Sequence, residues 1–454
     1  MVRVFKHYFP KLYLFLGVFE CLVFVVSIYI GAILRMRTLG AEGTEYLPYT
    51  ALLYAIVMMV SMLAMGLYQR QFFVGASGLL VRIFGAFFVG ATAMSLVFYV
   101  QPLLFLGRGA FGLSMLASLI GVLGLRVFLV RFVDAQMFKR RVVVLGAGKQ
   151  AKTIAQVDTD NNYRIIDFIQ YQHEPALVEC IQLDQPLVSY VIKNDIDEVV
   201  VAVDDRRGLP VDELLDCKMS GFDVIEVSSF FEKETYKIQL DTVHPSWLMF
   251  SDGFSVNHLA TLVKRLFDLL ASSLVFLIAW PFIVLTALAV WMEGRFKEPI
   301  LYSQHRVGQN WKLFKVYKFR SMRVDAEKNG AQWAQQNDPR VTKVGAFIRK
   351  TRLDEFPQLW NVLKGDMSFV GPRPERPEFV EDLAKNIPYY SERHRVKPGI
   401  TGWAQMCYAY GSSQEDAIQK LQYDLYYVKN YSLFLDLIIL IQTAEIILWG
   451  KGAR

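Results

Sequence analysis

The sequence predicts a membrane protein with three parts: a bundle of four transmembrane helices, an α/β domain, and a second α/β domain that begins with a re-entrant membrane helix. Four apolar stretches open the chain, a glycine turn follows a short apolar strand in its middle, and another long apolar run precedes the polar last third. With 454 residues, 53% hydrophobic and 20% charged, the chain is too long for one ordinary domain and too apolar for a wholly soluble protein.

The first predicted domain, residues 1–137, contains the four apolar stretches. They cover residues 12–34, 47–68, 79–100 and 111–133. Each is near the ~20 residues that a helix needs to cross the hydrocarbon core. No small-residue cleavage site before a polar region follows the first stretch, so we expect it to be retained. Basic residues precede the first stretch and follow the fourth, which favours both ends in the cytoplasm.

Residues 138–255 are expected to form a Rossmann-like α/β domain. The run RVVVLGAGKQA has the pattern of a strand, a GxGxxA glycine turn and a helix, and further strands are predicted at 164–169 and 198–203. Gly146 and Gly148 are candidate nucleotide-binding residues, and Asp167 stands near the distance expected of a ribose-binding acid. A lone fingerprint is a weak signal. We therefore expect a structural or regulatory role for this domain rather than NAD turnover.

Residues 256–454 form the third predicted domain, and their apolar segment 263–293 is expected to enter and leave one leaflet. Basic residues flank the apolar run on both sides, namely Lys264, Arg265, Arg295 and Lys297. Both flanks therefore favour the cytoplasmic side. Pro281 removes one helical hydrogen bond and favours a break between two helices. A fifth spanning helix with a proline kink is the alternative, and hydropathy alone does not separate the two.

Two adjacent carboxylates, Asp354 and Glu355, stand in a stretch of the third domain that is rich in basic residues. They are expected at the start of a helix that ends at Lys364, where negative charge is favoured. The predicted apolar face of this helix consists of Phe356, Leu359, Trp360 and Leu363. Taken alone, such a pair of acids is usually only a helix cap.

Cations expected to converge on the two acids favour phosphate chemistry. The candidate phosphate-binding residues are Lys318, Arg320, Arg349 and Arg373. Arg373 lies between two prolines that fix its backbone, so its guanidinium loses little entropy on meeting an anion. Lys318 and Arg320 are expected on one face of a strand over 316–322. This arrangement suits a magnesium-bound diphosphate.

Three motifs resemble the bacterial sugar transferase family, the monotopic phosphoglycosyl transferases. They are LDEFPQLWNVLKGDMS at 353–368, GPRP at 371–374 and KPGITGW at 397–403. The similarity covers about residues 260–454, and the whole layout is similar to that of the undecaprenyl-phosphate glucose or galactose phosphotransferases.

The resemblance implies a reaction and its residues. Asp354 would attack the β-phosphorus of UDP-glucose or UDP-galactose, release UMP and carry a covalent phosphosugar until undecaprenyl phosphate displaces it. Glu355 would hold Mg²⁺ or manage the acceptor proton; the residues alone do not rank the two acids. The family also implies a multi-pass protein of the bacterial inner membrane with a cytoplasmic catalytic domain. Its product would start an exopolysaccharide, capsule or O-antigen.

Two other classes of protein remain open. One is a membrane-anchored, NAD-dependent enzyme that modifies nucleotide sugars through Gly146 and Gly148; against it, no YxxxK pair occurs in residues 142–255. The other is an inactive scaffold of polysaccharide assembly. The layout is also compatible with a homodimer, and the net charge of +6 gives no indication of a nucleic-acid partner.

Four further expectations concern single segments. The four cysteines have no spacing typical of a metal site or a disulfide framework, so we expect free thiols. The basic and aromatic stretch 295–325 is expected to meet anionic lipid headgroups. Residues 325–340 are expected to form a mobile loop over the sugar nucleotide. The tail, 431–449, is apolar but interrupted by polar residues, and we expect it to pack on the domain or lie in the membrane interface.

Overall fold

A computed structural model describes most of the chain, which forms two compact units, one mainly of Tyr8–Trp247 and the other mainly of Leu248–Arg454. The residues that the structure describes are 2–4, 7–9, 11–36, 45–68, 76–132, 139–157, 162–171, 175–207, 209–254, 258–326, 338–408, 411 and 413–449. Residues 327–337, the greater part of the loop expected over the sugar nucleotide, lie outside these ranges.

Four long apolar helices form the first part of the chain. Two short strands, β1 (Val2–Val4) and β2 (His7–Phe9), precede them. The helices are α1 (Lys11–Met36), α2 (Leu47–Ala64), α3 (Ala76–Val100) and α4 (Arg108–Phe132), with a 3₁₀ turn at Pro102–Leu104 before the last. Their bounds agree with the predicted stretches to within about one turn. All four are long and apolar enough to cross a membrane.

A buried ion pair joins α1 to α4 inside this bundle. Arg126 donates to Glu20 from Nε at 2.6 Å and from Nη2 at 3.3 Å, and the Tyr68 hydroxyl donates to the same carboxylate. The two helices also approach closely at Gly31, where a Cβ would overlap Ser114. Because charged side chains in an apolar bundle are costly unless paired, this ion pair favours one pairing of the helices over others.

A four-stranded parallel sheet forms the α/β part of the first unit. Its strands are β3 (Arg140–Leu145), β4 (Tyr163–Ile169), β5 (Glu198–Val201) and β6 (Asp223–Glu226). Its helices are α5 (Lys149–Ala155), α6 (Leu187–Lys193), α7 (Val211–Met219), α8 (Val227–Thr235) and α9 (Pro245–Phe250), with a 3₁₀ turn at Leu240–Thr242. The strands predicted from the sequence are therefore present.

The strand order of this sheet is β4-β3-β5-β6. The first and second strands are neighbours, and the third lies on the other side of the first. This is the flavodoxin-like version of a doubly wound sheet, which differs from the dinucleotide-binding Rossmann order at the third strand. Alternate side chains of β3 are buried on opposite faces, Val142 and Val144 in one cluster and Val143 and Leu145 in the other. Both faces of the sheet are therefore covered.

The second unit begins with one long helix, α10 (His258–Glu293). An antiparallel hairpin follows, β7 (Leu301–Val307) and β8 (Leu313–Phe319), and a parallel pair is formed by β9 (Ser368–Val370) and β10 (Gly399–Thr401). The remaining helices are α11 (Lys343–Lys350), α12 (Gln358–Lys364), α13 (Pro377–Asn386), α14 (Trp403–Cys407), α15 (Gln414–Lys429) and α16 (Leu433–Trp449). 3₁₀ turns lie at Gln309–Trp311, Leu353–Glu355 and Tyr390–Arg395.

Helix α10 is one element with Pro281 inside it, so no gap separates two helices at the predicted break, and the re-entrant path stays a prediction. A proline removes one hydrogen bond of the ladder, and apolar surroundings favour keeping all the others. The middle of α10 exposes apolar side chains, among them Leu270, Leu277 and Ile278. By length and composition α10 is a fifth helix able to cross a membrane.

The tail packs on the second unit, as expected. Asp436 of α16 is fully buried and forms an ion pair with Lys264 of α10, and its neighbours Leu435 and Ile439 are also buried. The Tyr427 hydroxyl donates to the other oxygen of Asp436 at 2.7 Å. All four cysteines are free thiols, which confirms the prediction from their spacing.

Candidate active site

Asp354 and Glu355 lie in the 3₁₀ turn between α11 and α12. Helix α11 ends at Lys350, and the chain then reverses through Arg352, whose φ of 60° is in the left-handed region. Such a backbone conformation costs a non-glycine residue about 1–3 kcal/mol and is often found where side chains are aimed at a ligand. The turn leaves both acids buried, with exposed fractions of 8% and 9%.

The predicted start of the helix at Asp354 is wrong, although its end at Lys364 is confirmed. The acids occupy a separate turn, so cations rather than a helix end set their electrostatics. Asn361 fixes the orientation of α12, since its side chain accepts from the Tyr317 amide at 3.2 Å and donates to the Lys315 carbonyl at 2.7 Å. Successive residues of an α-helix are rotated by about 100° around its axis. Because Asn361 faces β8, its neighbour Trp360 points away from the core. Trp360 is 61% exposed, which corrects the predicted apolar face.

Three cations hold the carboxylate of Glu355. Its Oε1 atom lies 2.8 Å from Lys318 Nζ, 3.5 Å from Arg373 Nη2 and 3.9 Å from Arg352 Nη1. Burial by itself raises the pKa of Glu355, but the positive charges of Lys318, Arg373 and Arg352 outweigh it and hold the pKa well below its usual value. Glu355 therefore remains ionised and keeps the cations together.

Asp354 has a different environment from its neighbour. Its Oδ1 atom is buried and makes no hydrogen bond. Burial raises the pKa of Asp354; Lys318 opposes this rise and Glu355 adds to it. A buried acceptor without a partner costs about 1–3 kcal/mol, so such an atom in a folded protein calls for an explanation. One explanation is that this oxygen of Asp354 is kept free to react with a substrate.

The remaining two predicted cations behave differently from each other. The charge of Arg349 acts on Asp354, as its place at the end of α11 allows. The guanidinium of Arg320 instead lies 2.7 Å from Glu298 and donates to the Val290 carbonyl at 3.4 Å. Strand β8 ends at Phe319 rather than at the predicted residue 322. Its partner strand β7 begins at Leu301, which pairs with Phe319, so no strand lies beside residues 320–322. A phosphate-binding role for Arg320 stays a prediction.

Backbone bonds on two sides fix the loop that carries Arg373. The Gly399 amide donates to the Pro372 carbonyl at 3.0 Å, and the Val307 amide donates to the Glu375 carbonyl at 3.0 Å. The loop is thus tied both to β10 and to the end of β7. The guanidinium of Arg373 is directed at the acidic pair, with Nη2 3.5 Å from Glu355 Oε1.

A buried network behind this loop has no local signal in the sequence. Arg393 Nη2 donates to the Arg373 carbonyl at 2.9 Å and lies 2.8 Å from Asp424 Oδ2, while Nη1 donates to the Tyr390 hydroxyl at 2.8 Å. Burial raises the pKa of Asp424 to about 6, and Arg393 opposes that rise. The partners come from a 3₁₀ turn and from α15, which only the tertiary fold brings together.

The acidic pair fits a magnesium ion shared with a substrate. Among the residues described, no group of three or more His, Cys, Asp and Glu side chains could hold a metal. Mg²⁺, however, commonly uses only one or two protein carboxylates and takes its other ligands from phosphates and water. Asp354 Oδ1 is an acceptor without a hydrogen-bond partner, and the carboxylate of Glu355 follows it in the same turn.

The two candidate glycines of the α/β domain are required by their own turn. Gly146 has a φ of 125°, and a Cβ there would overlap the Ala202 carbonyl. A Cβ on Gly148 would overlap the carboxylate of Asp204. The glycines therefore allow another group to approach the backbone closely, as the sequence predicts. The groups that approach are Ala202 and Asp204 of the protein itself.

Asp204 occupies the amides that a pyrophosphate would use in a dinucleotide-binding domain. Its carboxylate accepts from the Lys149 amide at 2.8 Å and from the Gln150 amide at 3.0 Å. Asp167, the candidate ribose-binding acid, accepts from the Tyr190 hydroxyl. These contacts favour a structural role for the glycine turn over NAD binding.

Comparisons with known proteins identify relatives of the part of the chain that contains this site. The family described as bacterial sugar transferase matches residues 259–450, which include Asp354, Glu355 and Arg373. The UDP-N-acetylgalactosamine-undecaprenyl-phosphate N-acetylgalactosaminephosphotransferase of Aeromonas hydrophila is 37% identical over 294 residues, 64% of this chain and 68% of that protein. A putative undecaprenyl-phosphate N-acetylgalactosaminyl 1-phosphate transferase of Bacillus subtilis (strain 168) is 52% identical over 131 residues, 29% of this chain and 72% of that protein.

A third relative extends the similarity beyond the last domain. The UDP-glucose:undecaprenyl-phosphate glucose-1-phosphate transferase of Xanthomonas campestris pv. campestris is 30% identical over 365 residues, which is 76% of this chain and 75% of that protein. The matches to the Aeromonas hydrophila and Xanthomonas campestris proteins thus cover most of both chains and not only the motifs around the acidic pair. This chain belongs to the bacterial sugar transferase family.

Proposed function

We propose that this protein is a phosphoglycosyl transferase, which moves a hexose 1-phosphate from a UDP-hexose to undecaprenyl phosphate and releases UMP. The observation that carries the proposal is a buried carboxylate, Asp354, with a free oxygen beside a second carboxylate held by three cations. The names of the relatives agree with this reaction class. The product would be the membrane-bound starter of an exopolysaccharide, capsule or O-antigen.

The proposed reaction has two displacements at the same phosphorus. An oxygen of Asp354 bonds to the β-phosphorus of the donor, and the bond from that phosphorus to the bridging oxygen breaks, so UMP leaves with the bonding electrons. The resulting acyl phosphate is reactive. A phosphate oxygen of undecaprenyl phosphate then attacks the same phosphorus, and Asp354 leaves as a free carboxylate.

The surrounding charges suit both steps. Lys318 and Arg373 lie beside Glu355 and can meet phosphate oxygens, and Arg349 adds a third positive charge near Asp354. A bound Mg²⁺, for which Glu355 is the proposed ligand, would neutralise charge on the donor diphosphate. Burial of Asp354 removes water that would otherwise hydrolyse an acyl phosphate.

The proposal includes a re-entrant path for α10, bent at Pro281, with the catalytic domain on the cytoplasmic face of the bacterial inner membrane. Near its start, Arg265 donates to the Val362 carbonyl of α12 at 2.6 Å, and at its end Glu293 accepts from the Val344 amide of α11 at 3.0 Å. Helices α11 and α12 are joined by the short turn that holds Asp354. A spanning α10 would separate its two flanks by a hydrocarbon core of about 30 Å and would pull this turn apart.

Cysteine labelling tests this topology. We expect single cysteines at Ala260→Cys and Lys297→Cys, in a background without the four native cysteines, to react with a membrane-impermeant maleimide in inside-out vesicles. Neither should react in intact spheroplasts, because both flanks lie on the cytoplasmic side. Labelling of the two positions from opposite sides would show a spanning helix instead.

The network behind Arg373 supplies a second prediction. Arg393→Lys keeps a positive charge beside Asp424 but removes the guanidinium group, which also donates to the Arg373 carbonyl. We expect UMP release to fall about 10- to 100-fold, because Arg373 is no longer held towards the donor phosphates. If Arg393 positions Arg373, the KM of the UDP-hexose should rise while the thermal unfolding midpoint stays close to that of wild type. An unchanged KM with a lowered midpoint would mean that Arg393 is only structural.

The function itself is tested by UMP release in detergent with undecaprenyl phosphate and Mg²⁺. The donor panel should contain UDP-glucose and UDP-galactose, and also UDP-N-acetylgalactosamine, since two of the relatives carry that sugar in their names. Release of UMP that requires both a particular donor and the lipid phosphate supports the proposal. No release from any donor by well-folded protein would favour the inactive scaffold.

A further inference from the structure

Helix α10 holds the end of α12 through one side chain, Arg265. Its Nη1 and Nη2 atoms donate to the carbonyls of Val362 and Leu363, each at 2.6 Å. These carbonyls belong to the last turn of α12, where a helix has too few amide donors of its own and where a positive charge is favoured. Arg265 therefore caps α12 from a different helix.

The same part of α10 is bonded to every residue of the three-residue strand β9. Asp268 Oδ1 accepts from the Ser368 hydroxyl at 2.9 Å and from the Phe369 amide at 3.1 Å. Lys264 Nζ donates to the Val370 carbonyl at 3.2 Å. Because both α10 side chains are buried, water does not compete for these bonds. Helix α10 therefore fixes the position of β9.

The two segments held in this way carry the proposed catalytic groups. Helix α12 begins at Gln358, three residues after Glu355, and β9 ends at Val370, three residues before Arg373. The side chains of α10 that hold them are separated by only one, three and four positions, and residues three or four apart share a face of a helix. One short stretch of α10 thus meets the supports of both the acidic pair and the guanidinium.

A second contact makes the position of α12 sensitive to Arg265. Asn361 ties the middle of α12 to β8 through the Tyr317 amide and the Lys315 carbonyl. Without Arg265, α12 would be freer to pivot on this contact, and Asp354, beyond the opposite end of the helix, would move with it. Misplacement of a reacting group by about 1 Å can lower a rate about 100-fold.

We propose that the start of α10 is part of the catalytic framework, with Arg265 positioning Asp354 and Asp268 positioning Arg373. Both are positioning residues, since each acts through the backbone of another segment. Helix α10 then does more than attach the protein to the membrane: it sets the distance between the nucleophile and a cation for the donor phosphates. This inference rests on the proposed phosphoglycosyl transfer.

Steady-state UMP release by the full chain in detergent tests it, with the UDP-hexose varied at saturating undecaprenyl phosphate. Arg265→Lys keeps the charge but not the two-pronged donor. Its kcat should fall about 10- to 100-fold and its KM should stay within about twofold of wild type, because the nucleophile is misaligned while the donor phosphates are still bound. Asp268→Ala should instead raise the KM about tenfold, because Arg373 is no longer held towards those phosphates.

Two conservative exchanges serve as controls. Asp268→Asn keeps an oxygen that can accept from Ser368 and Phe369, so its KM should return to within about threefold of wild type. Arg295→Lys is the matched arginine exchange, at the exposed other end of α10, and should have the kinetics of wild type.

Thermal unfolding midpoints separate positioning from a general loss of stability. Unchanged kinetics in Arg265→Lys and Asp268→Ala would overturn the proposal, as would parallel changes of kcat and KM that follow the loss of the midpoint. Arg265→Lys decides the matter if Asp268→Ala does not fold. Active wild type with either of these results leaves the proposed function standing, whereas wild type that releases no UMP would overturn both proposals.

Discussion

Asp354→Asn should lower UMP release by at least about 10³-fold, because an uncharged amide cannot displace UMP from phosphorus. The change is nearly isosteric and removes a buried charge, so the thermal unfolding midpoint should be kept. The measurement is UMP release from the donor that wild type prefers, with undecaprenyl phosphate present.

A second readout isolates the covalent step. With a UDP-hexose labelled in its sugar and no acceptor, wild type should carry label that hydroxylamine removes, as expected of an acyl phosphate, and Asp354→Asn should carry none. Asp382→Asn is the matched control, since Asp382 is exposed on α13, and it should behave as wild type. Near-wild-type turnover by Asp354→Asn would rule out this residue as the nucleophile.

Asp436→Ala should produce the largest loss of stability in the second unit. It leaves the ammonium of Lys264 buried without its counter-charge, in a side chain only 5% exposed. Breaking a buried ion pair in this way costs about 3–5 kcal/mol. For a unit of this size we expect the thermal unfolding midpoint in detergent to fall by roughly 6–20 °C.

A double variant distinguishes the ion pair from simple packing. Lys264→Met/Asp436→Leu removes both charges and retains apolar volume, so it should recover most of the midpoint that Asp436→Ala loses. If the double variant is as unstable as the single one, the contribution of Asp436 comes from packing or from its bond to Tyr427 rather than from the charge pair.

The sequence alone predicted the apolar helices, the strands of the α/β domain and the family. The apolar stretches predict α1 to α4 within about one turn, because a bilayer needs helices of one length and composition. The glycine turn and alternating apolar residues predict the strands of the α/β domain. The motifs around Asp354 and Arg373 identify the family, since long motifs with fixed spacing rarely arise by chance.

Only the tertiary structure decided how the acidic pair is held. The helix predicted at Asp354 is a separate 3₁₀ turn, since Arg352 adopts a left-handed conformation before it. Lys318 and Arg373 reach Glu355 from two different elements, and the local pattern could not show that Arg320 pairs with Glu298 instead.

The same holds for the contacts that join distant parts of the chain. Arg393 with Asp424, Lys264 with Asp436, and Asp204 at the glycine turn each link residues far apart in sequence. Periodicity and local propensity describe a residue and its near neighbours. Pairing between buried charges depends on which surfaces the fold brings together, and that is set by packing over the whole unit.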